Sequence, residues 1–138
     1  MAALDTNVLV RYLVRDDARQ LETARALMAA AVQRGEVLWV PISVMLELEW
    51  VLRARYGFAK DDVLGALGAL LGAVELAFQN ESALEVALAL YRQGRADFSD
   101  CVHVALAHQA GQAPLWTFDK AAAKLEGARW LTPGAPGL

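Results

Sequence analysis

A three-layer α/β fold with a parallel central sheet is predicted by two features of this chain. Short apolar runs alternate with helical patterns along its 138 residues, and strand–helix alternation of this kind builds parallel sheets. One of those runs, Val37-Leu38-Trp39-Val40, is continuously apolar, as expected of a strand covered on both faces. In such sheets, ligands gather outside the carboxyl ends of the strands.

The elements follow in order. Ala2-Ala3-Leu4 is a short strand, and Val8 to Val14 a helix. Asp17 to Arg34 is a second helix, closed by Gly35 in the role of a C-terminal cap. After the strand at 37–40, helices are expected over Ser43 to Tyr56 and Lys60 to Leu71, then a strand over Ala73 to Phe78. Asn80 caps a helix that reaches Gln93, and Asp97 or Ser99 starts another that stops before Gly111. Leu115-Trp116-Thr117-Phe118 reads as a strand, Lys120 to Leu125 as a short helix, and Arg129-Trp130-Leu131 as the last strand. Residues 1–132 form a single domain in this reading, and 133–138, rich in Pro and Gly, a loose tail. No internal repeat is visible.

Composition narrows the class. Hydrophobic residues make up 57% of the chain and the mean hydropathy is +0.29, which raises the question of a membrane span. The most apolar stretch, Val63 to Val74, lies between Asp62 and Glu75, well short of the roughly 20 residues a spanning helix needs. It is expected to be a core or interface helix. An acid at position 5, with no basic region before an apolar run, predicts no export signal. Cys101 is the sole cysteine, so no disulfide framework is expected and a cytoplasmic location is. The apolar surplus of Val63 to Leu71, and of the helices starting at Val8 and Ser43, predicts a homodimer or a partner interface.

The stretch "LDTNVLVRYL" sets an acid, a hydroxyl and an amide in a row between apolar residues. Asp5, Asp97 and Asp119 each stand just before a helical run, where a carboxylate caps free N–H groups and meets the positive end of the helix dipole. A chemical use competes with capping. Asp5 follows the first strand and Asp119 follows "LWTF", so parallel strands would carry both acids to the same sheet edge. Asp100 shares a helical stripe with Val104 and Ala107 and is expected to look inward, where an unpaired carboxylate is costly. Glu47 and Glu49 flank the apolar stripe of Val44, Leu48, Val51 and Leu52. They are about 200° apart around the helix, and periodicity does not choose between them.

Acids converging on one edge resist ionisation unless a cation joins them. A carboxylate site without His or Cys suits Mg²⁺ or Mn²⁺. The matching chemistry is phosphodiester hydrolysis, in which metal activates water and stabilises charge on the phosphate. Thr6 or Thr117 is available to fix a water or a carboxylate.

Four segments, "LDTNVLVRYL", "LELEWVLRARYG", "ADFSDCVHVALA" and "LWTFDKAAAKL", resemble in that order the four motifs of PIN-domain ribonucleases, in particular the toxins of VapBC toxin–antitoxin modules. The resemblance runs from about residue 3 to residue 131. It implies a PIN-like α/β/α fold and an acidic quartet of Asp5, Glu47, Asp100 and Asp119 binding Mg²⁺, with Mn²⁺ as a substitute. It selects Glu47 over Glu49, gives Asp97 an auxiliary role, and makes Thr117 the hydroxyl two residues before the last acid. It further implies an RNA substrate, a small antitoxin protein as partner, and no covalent nucleophile.

Other readings find less support. His103 and His108 lack the i,i+4 spacing of a paired metal site and are expected at the surface. Cys101 is expected to pack as a small apolar residue, and of the four tryptophans, at 39, 50, 116 and 130, those in strand runs are expected in the core rather than as base-stacking platforms. Nucleophile elbow and Gly-rich phosphate loop are absent. Position 7 is Asn, which excludes the D-x-D opening of aspartate-nucleophile phosphatases. A housekeeping PIN nuclease without an antitoxin and a non-catalytic binding module are the alternatives. The net charge of −3 is unlike a general nucleic-acid binder. With four acids assigned to metal, 12 remain against 13 Lys and Arg, which is compatible with RNA. Arg11, Arg15 and Lys120 follow closely on Asp5 and Asp119 in sequence.

Overall fold

In the computed structural model, which describes residues 2–134, every strand pairing is parallel. The chain divides after Glu81 into two compact units. The first contains β1 (Ala2–Ala3), α1 (Thr6–Val14), α2 (Ala18–Gln33), β2 (Leu38–Val40), α3 (Ile42–Ala54), α4 (Lys60–Leu71) and β3 (Leu76–Phe78). Its sheet has the order β1-β2-β3, with Ala3 opposite Trp39 and Val40 opposite Phe78. Each parallel step needs a crossover, and the helix pairs α1–α2 and α3–α4 supply them. The carboxyl ends of β1 and β2 therefore share one edge, where α1 and α3 begin.

Local chemistry explains the boundaries. Asp17 caps α2 by accepting the N–H of Gln20 at 3.0 Å, and Gly35 leaves the helix at φ +65°, a conformation that only glycine takes cheaply. α1 buries Thr6, Leu9 and Val10, and α2 buries Ala24, Met28 and Ala31, the 3–4 spacing of one helical face. α4 occupies the predicted span but is not apolar all round in its exposure. Val63, Leu64, Leu67 and Leu70 are buried, while Gly65, Gly68 and Ala69 face outward with Asp61 and Asp62. The apolar surplus expected there is absorbed by the core, because the outward positions of the "apolar" helix carry almost no side chain.

The second unit contains α5 (Glu81–Gln93) from its second residue on, then α6 (Phe98–Gln109), β4 (Leu115–Thr117), α7 (Lys120–Ala123) and β5 (Ala128–Trp130). β4 pairs with β5, Thr117 opposite Trp130. Leu84, Ala87, Leu88 and Tyr91 of α5 and Phe98, Cys101, Val102 and Ala105 of α6 are buried. The rings of Tyr91 and Phe98 lie 5.5 Å apart. Asn80, the expected cap of α5, has φ +55° rather than the extended backbone of an ordinary N-cap.

The tryptophan expectation needs correction. Trp39 is 43% exposed and Trp130 39%, and Trp116 is only half-buried. β2 alternates buried, exposed, buried, so it is not covered on both faces at Trp39. Cys101 is fully buried, as expected, and both histidines are exposed. Of the expected tail, Pro133 and Gly134 lie in a turn, and 135–138 fall outside the described residues.

Candidate active site

Asp5 sits where β1 passes into α1. Its carboxylate accepts the N–H of Thr6 at 2.7 Å, a one-residue reach and not the N2 or N3 contact of a full helix cap. The carboxylate is otherwise turned to solvent. Thr6 is buried, 5% exposed, and its hydroxyl donates to Oε1 of Glu47 on α3. This bond, between residues 41 positions apart, orients Glu47 on a cleft of about 440 Å³ lined by Asp5, Thr6, Glu47, Trp50, Arg55 and Tyr56 among others.

Glu49 points the other way. It is 4% exposed, and Arg53, one turn on, reaches its Oε2 through Nε at 2.8 Å and its Oε1 through Nη2 at 3.4 Å. A charge buried to that extent requires such a partner. The two glutamates left open by periodicity thus have different surroundings, one on the cleft and one in an ion pair.

In the second unit the acids are Asp97, Asp100 and Asp119. Asp97 occupies the N-cap of α6 but makes no side-chain capping bond, so the capping account does not describe it. Asp119 does cap α7, accepting the N–H of Ala122 at 2.9 Å. Thr117 holds the same turn from the strand side, its Oγ1 accepting the N–H of Asp119 at 2.9 Å. Asp100 is half-buried. Its carboxyl is pushed above the ordinary aspartate range, first by burial, then by the charges of Asp119 and Asp97, with His103 opposing. Asp119 and Asp97 are therefore near enough for their charge to act on Asp100.

His103 was overlooked as a neighbour of the acids. Its i+3 relation to Asp100 is legible in the sequence, while the i,i+5 relation to His108 is not that of a paired metal site. Trp50, Arg55 and Tyr56 were likewise not singled out as cleft residues, although Trp50 follows Glu47 by three positions and so shares its face.

The donor set fits a hard divalent cation. The acids offer only oxygen, no thiolate stands among them, and Asp100 carries the cost of uncompensated like charge that a cation would relieve. Among the described residues, no group of three or more His, Cys, Asp or Glu side chains is drawn together tightly enough to hold an ion as it stands.

Parallel strands followed by helices, with Asp5 after β1 and Asp119 after β4, define an α/β protein with carboxylates at strand ends. The profile of the PIN domain matches residues 2–128, and the chain belongs to the PIN-domain family. It is similar to a VapC ribonuclease of Aquifex aeolicus (strain VF5), with 26% identity over 125 residues, 91% of this chain and 92% of that protein. The parallel strands with flanking helices agree with the α/β/α class expected from the sequence.

Proposed function

We propose that this chain is a metal-dependent endoribonuclease and the toxin of a type II toxin–antitoxin pair, acting in the cytoplasm. The observation that carries the reading is the Thr6–Glu47 hydrogen bond, which sets a glutamate beside Asp5 on an open cleft while Glu49 is committed to Arg53. Membership of the PIN family and likeness to a protein named VapC ribonuclease support it. The proposed ligands are Asp5, Glu47, Asp100 and Asp119, with Asp97 auxiliary, and the proposed ion is Mg²⁺, replaceable by Mn²⁺. When bound, such an ion activates water and neutralises charge on the attacked phosphate.

The chain's own residues provide the positioning. Thr6 fixes the rotamer of Glu47, Thr117 fixes the backbone of Asp119, and the α7 cap holds the Asp119 carboxylate. Thr6→Val removes the hydroxyl and frees Glu47. It is expected to lower metal affinity or kcat about tenfold to a hundredfold, as loss of an orienting group does, measured by Mg²⁺ titration of cleavage. A Thr6→Val enzyme with an unaltered Mg²⁺ dependence would remove this role.

A homodimer and a small antitoxin complete the proposal. Among the described residues no helix is long and apolar enough to cross a membrane, and the apolar side chains of Leu27, Val32, Trp39 and Val74 are exposed and available to a second copy or a partner. A groove of about 530 Å³ between α1 and α2, lined by Val8, Arg11, Gln20, Ala24 and Leu27 among others, suits an amphipathic segment of the antitoxin. A basic side chain on that segment would satisfy the carboxylates in place of the ion. The function is tested by incubating labelled single-stranded RNA with the purified chain and Mg²⁺, with and without the product of any small neighbouring gene. Internal cleavage that this product suppresses is expected, with light scattering reporting a dimer alone and a larger complex together. Cleavage by a strictly monomeric chain indifferent to the product would favour a housekeeping nuclease instead.

A further inference from the structure

The cleft beside Asp5 and Glu47 has a second wall that the metal chemistry does not use. Trp50 lies on α3 one turn beyond Glu47 and is 49% exposed. The guanidinium carbon of Arg55 is 6.0 Å from the indole centroid. Both line the same cleft as Asp5, Thr6 and Glu47. Arg11 lines it too, but its Nη1 is taken by Asp16 at 2.6 Å and by the Tyr56 hydroxyl at 3.4 Å. Arg55 enters no ion pair among the described residues, so it is the cleft's uncommitted cation.

An indole half in water with an unpaired, solvated cation at its side offers a flat apolar face and a positive charge together, which match a ligand carrying both a ring and an anion. The contact between the two is at the outer limit of a cation–π interaction and is weaker than base–aromatic stacking. An incoming ring can therefore take the indole face without losing much. The cleft volume is within the range of about 300–1,000 Å³ that small-ligand sites use.

We propose that Trp50 and Arg55 form a nucleotide subsite for single-stranded RNA, the indole stacking one base and the guanidinium meeting an adjacent phosphate. This rests on the nuclease reading above and adds to it the residues that would hold the strand beside the acids. A base must be unstacked to lie on Trp50, so the subsite selects single strands over duplex, and a π face accepts any base, so it is sequence-tolerant. The positive charge of Arg55 also offsets the repulsion that Asp5 and Glu47 exert on a phosphate before the ion is counted.

The test is steady-state cleavage of a short single-stranded oligoribonucleotide by wild type, Trp50→Leu, Trp50→Phe and Arg55→Gln, with light scattering on each. Trp50→Leu is expected to raise KM about tenfold with a smaller effect on kcat, and Trp50→Phe to recover most of the loss, because a stacking face remains. Arg55→Gln is expected to reduce the slope of log KM against log salt by about 0.7, one phosphate contact on a single strand. Trp50→Leu with a wild-type KM overturns the subsite while leaving the nuclease intact. A changed oligomeric mass with KM unaltered overturns it in favour of a contact between copies of this chain. Absence of any cleavage by wild type overturns both the function and the subsite.

Discussion

Glu47→Gln and Asp5→Asn are each expected to lower RNA cleavage about a thousandfold while the protein stays folded. A ligand to a catalytic ion contributes several kcal/mol of charge stabilisation to the transition state, and each 1.4 kcal/mol is about tenfold in rate. Both carboxylates are exposed, so exchanging them for amides costs the core little. Asn also keeps the acceptor that Asp5 offers to the Thr6 N–H. Asp100→Asn and Asp119→Asn should behave alike in activity, and Asn is as good an N-cap as Asp for the α7 turn. Glu49→Gln is the control, and it should fail differently. Its carboxylate is buried against Arg53, so the amide weakens a charge-assisted pair and lowers stability by about 1 kcal/mol, with Arg53 able to turn to water. Activity should be nearly normal below the melting transition. Cleavage rates together with thermal unfolding of the five variants check this. An inactive Glu49→Gln beside an active Glu47→Gln would reverse the assignment on α3.

Removing divalent metal with EDTA is expected to abolish cleavage, and Mg²⁺ or Mn²⁺ to restore it, with no requirement for Zn²⁺. The proposed ligands are all carboxylates, which suit hard cations and offer nothing that selects a softer one. The ion should also leave a mark on stability that does not depend on activity. Asp100 is half-buried with the charges of Asp119 and Asp97 near it, so ionised it weakens the folded state, and a cation reverses that repulsion. Added Mg²⁺ is therefore expected to raise the melting temperature of wild type by a few degrees (about 1 kcal/mol). Asp100→Asn should show a smaller rise. Cleavage that persists at full rate in excess chelator would overturn the metal-dependent reaction, and a rise of the same size in both proteins would remove Asp100 from the ligand set.

The sequence by itself determined what depends on near neighbours and on periodic pattern. Alternating apolar runs and helical stripes predicted parallel strands joined by helices, and α4 spans Lys60–Leu71 as read. Asp17 and Asp119 cap because a short acid before a helix finds its N–H groups within three residues. Periodicity did not separate Glu47 from Glu49, since both lie on margins of one apolar stripe and helical period is blind to what packs on each side; the motif resemblance pointed to Glu47, and only the tertiary structure shows the different surroundings of the two. Their surroundings differ because Thr6, 41 residues away, donates to Glu47 while Arg53 pairs with Glu49. One local sign was available, Arg53 at i+4 from Glu49 with Val51 at i+4 from Glu47. The tryptophans were misjudged for a related reason. An apolar residue in a strand run is core only if a second layer covers its face, and Trp39 and Trp130 lie in three-residue strands that leave them partly in water. Exposure is a property of what is packed alongside, so the wall of the cleft that Trp50 forms with Arg55 became visible only when α3 had neighbours.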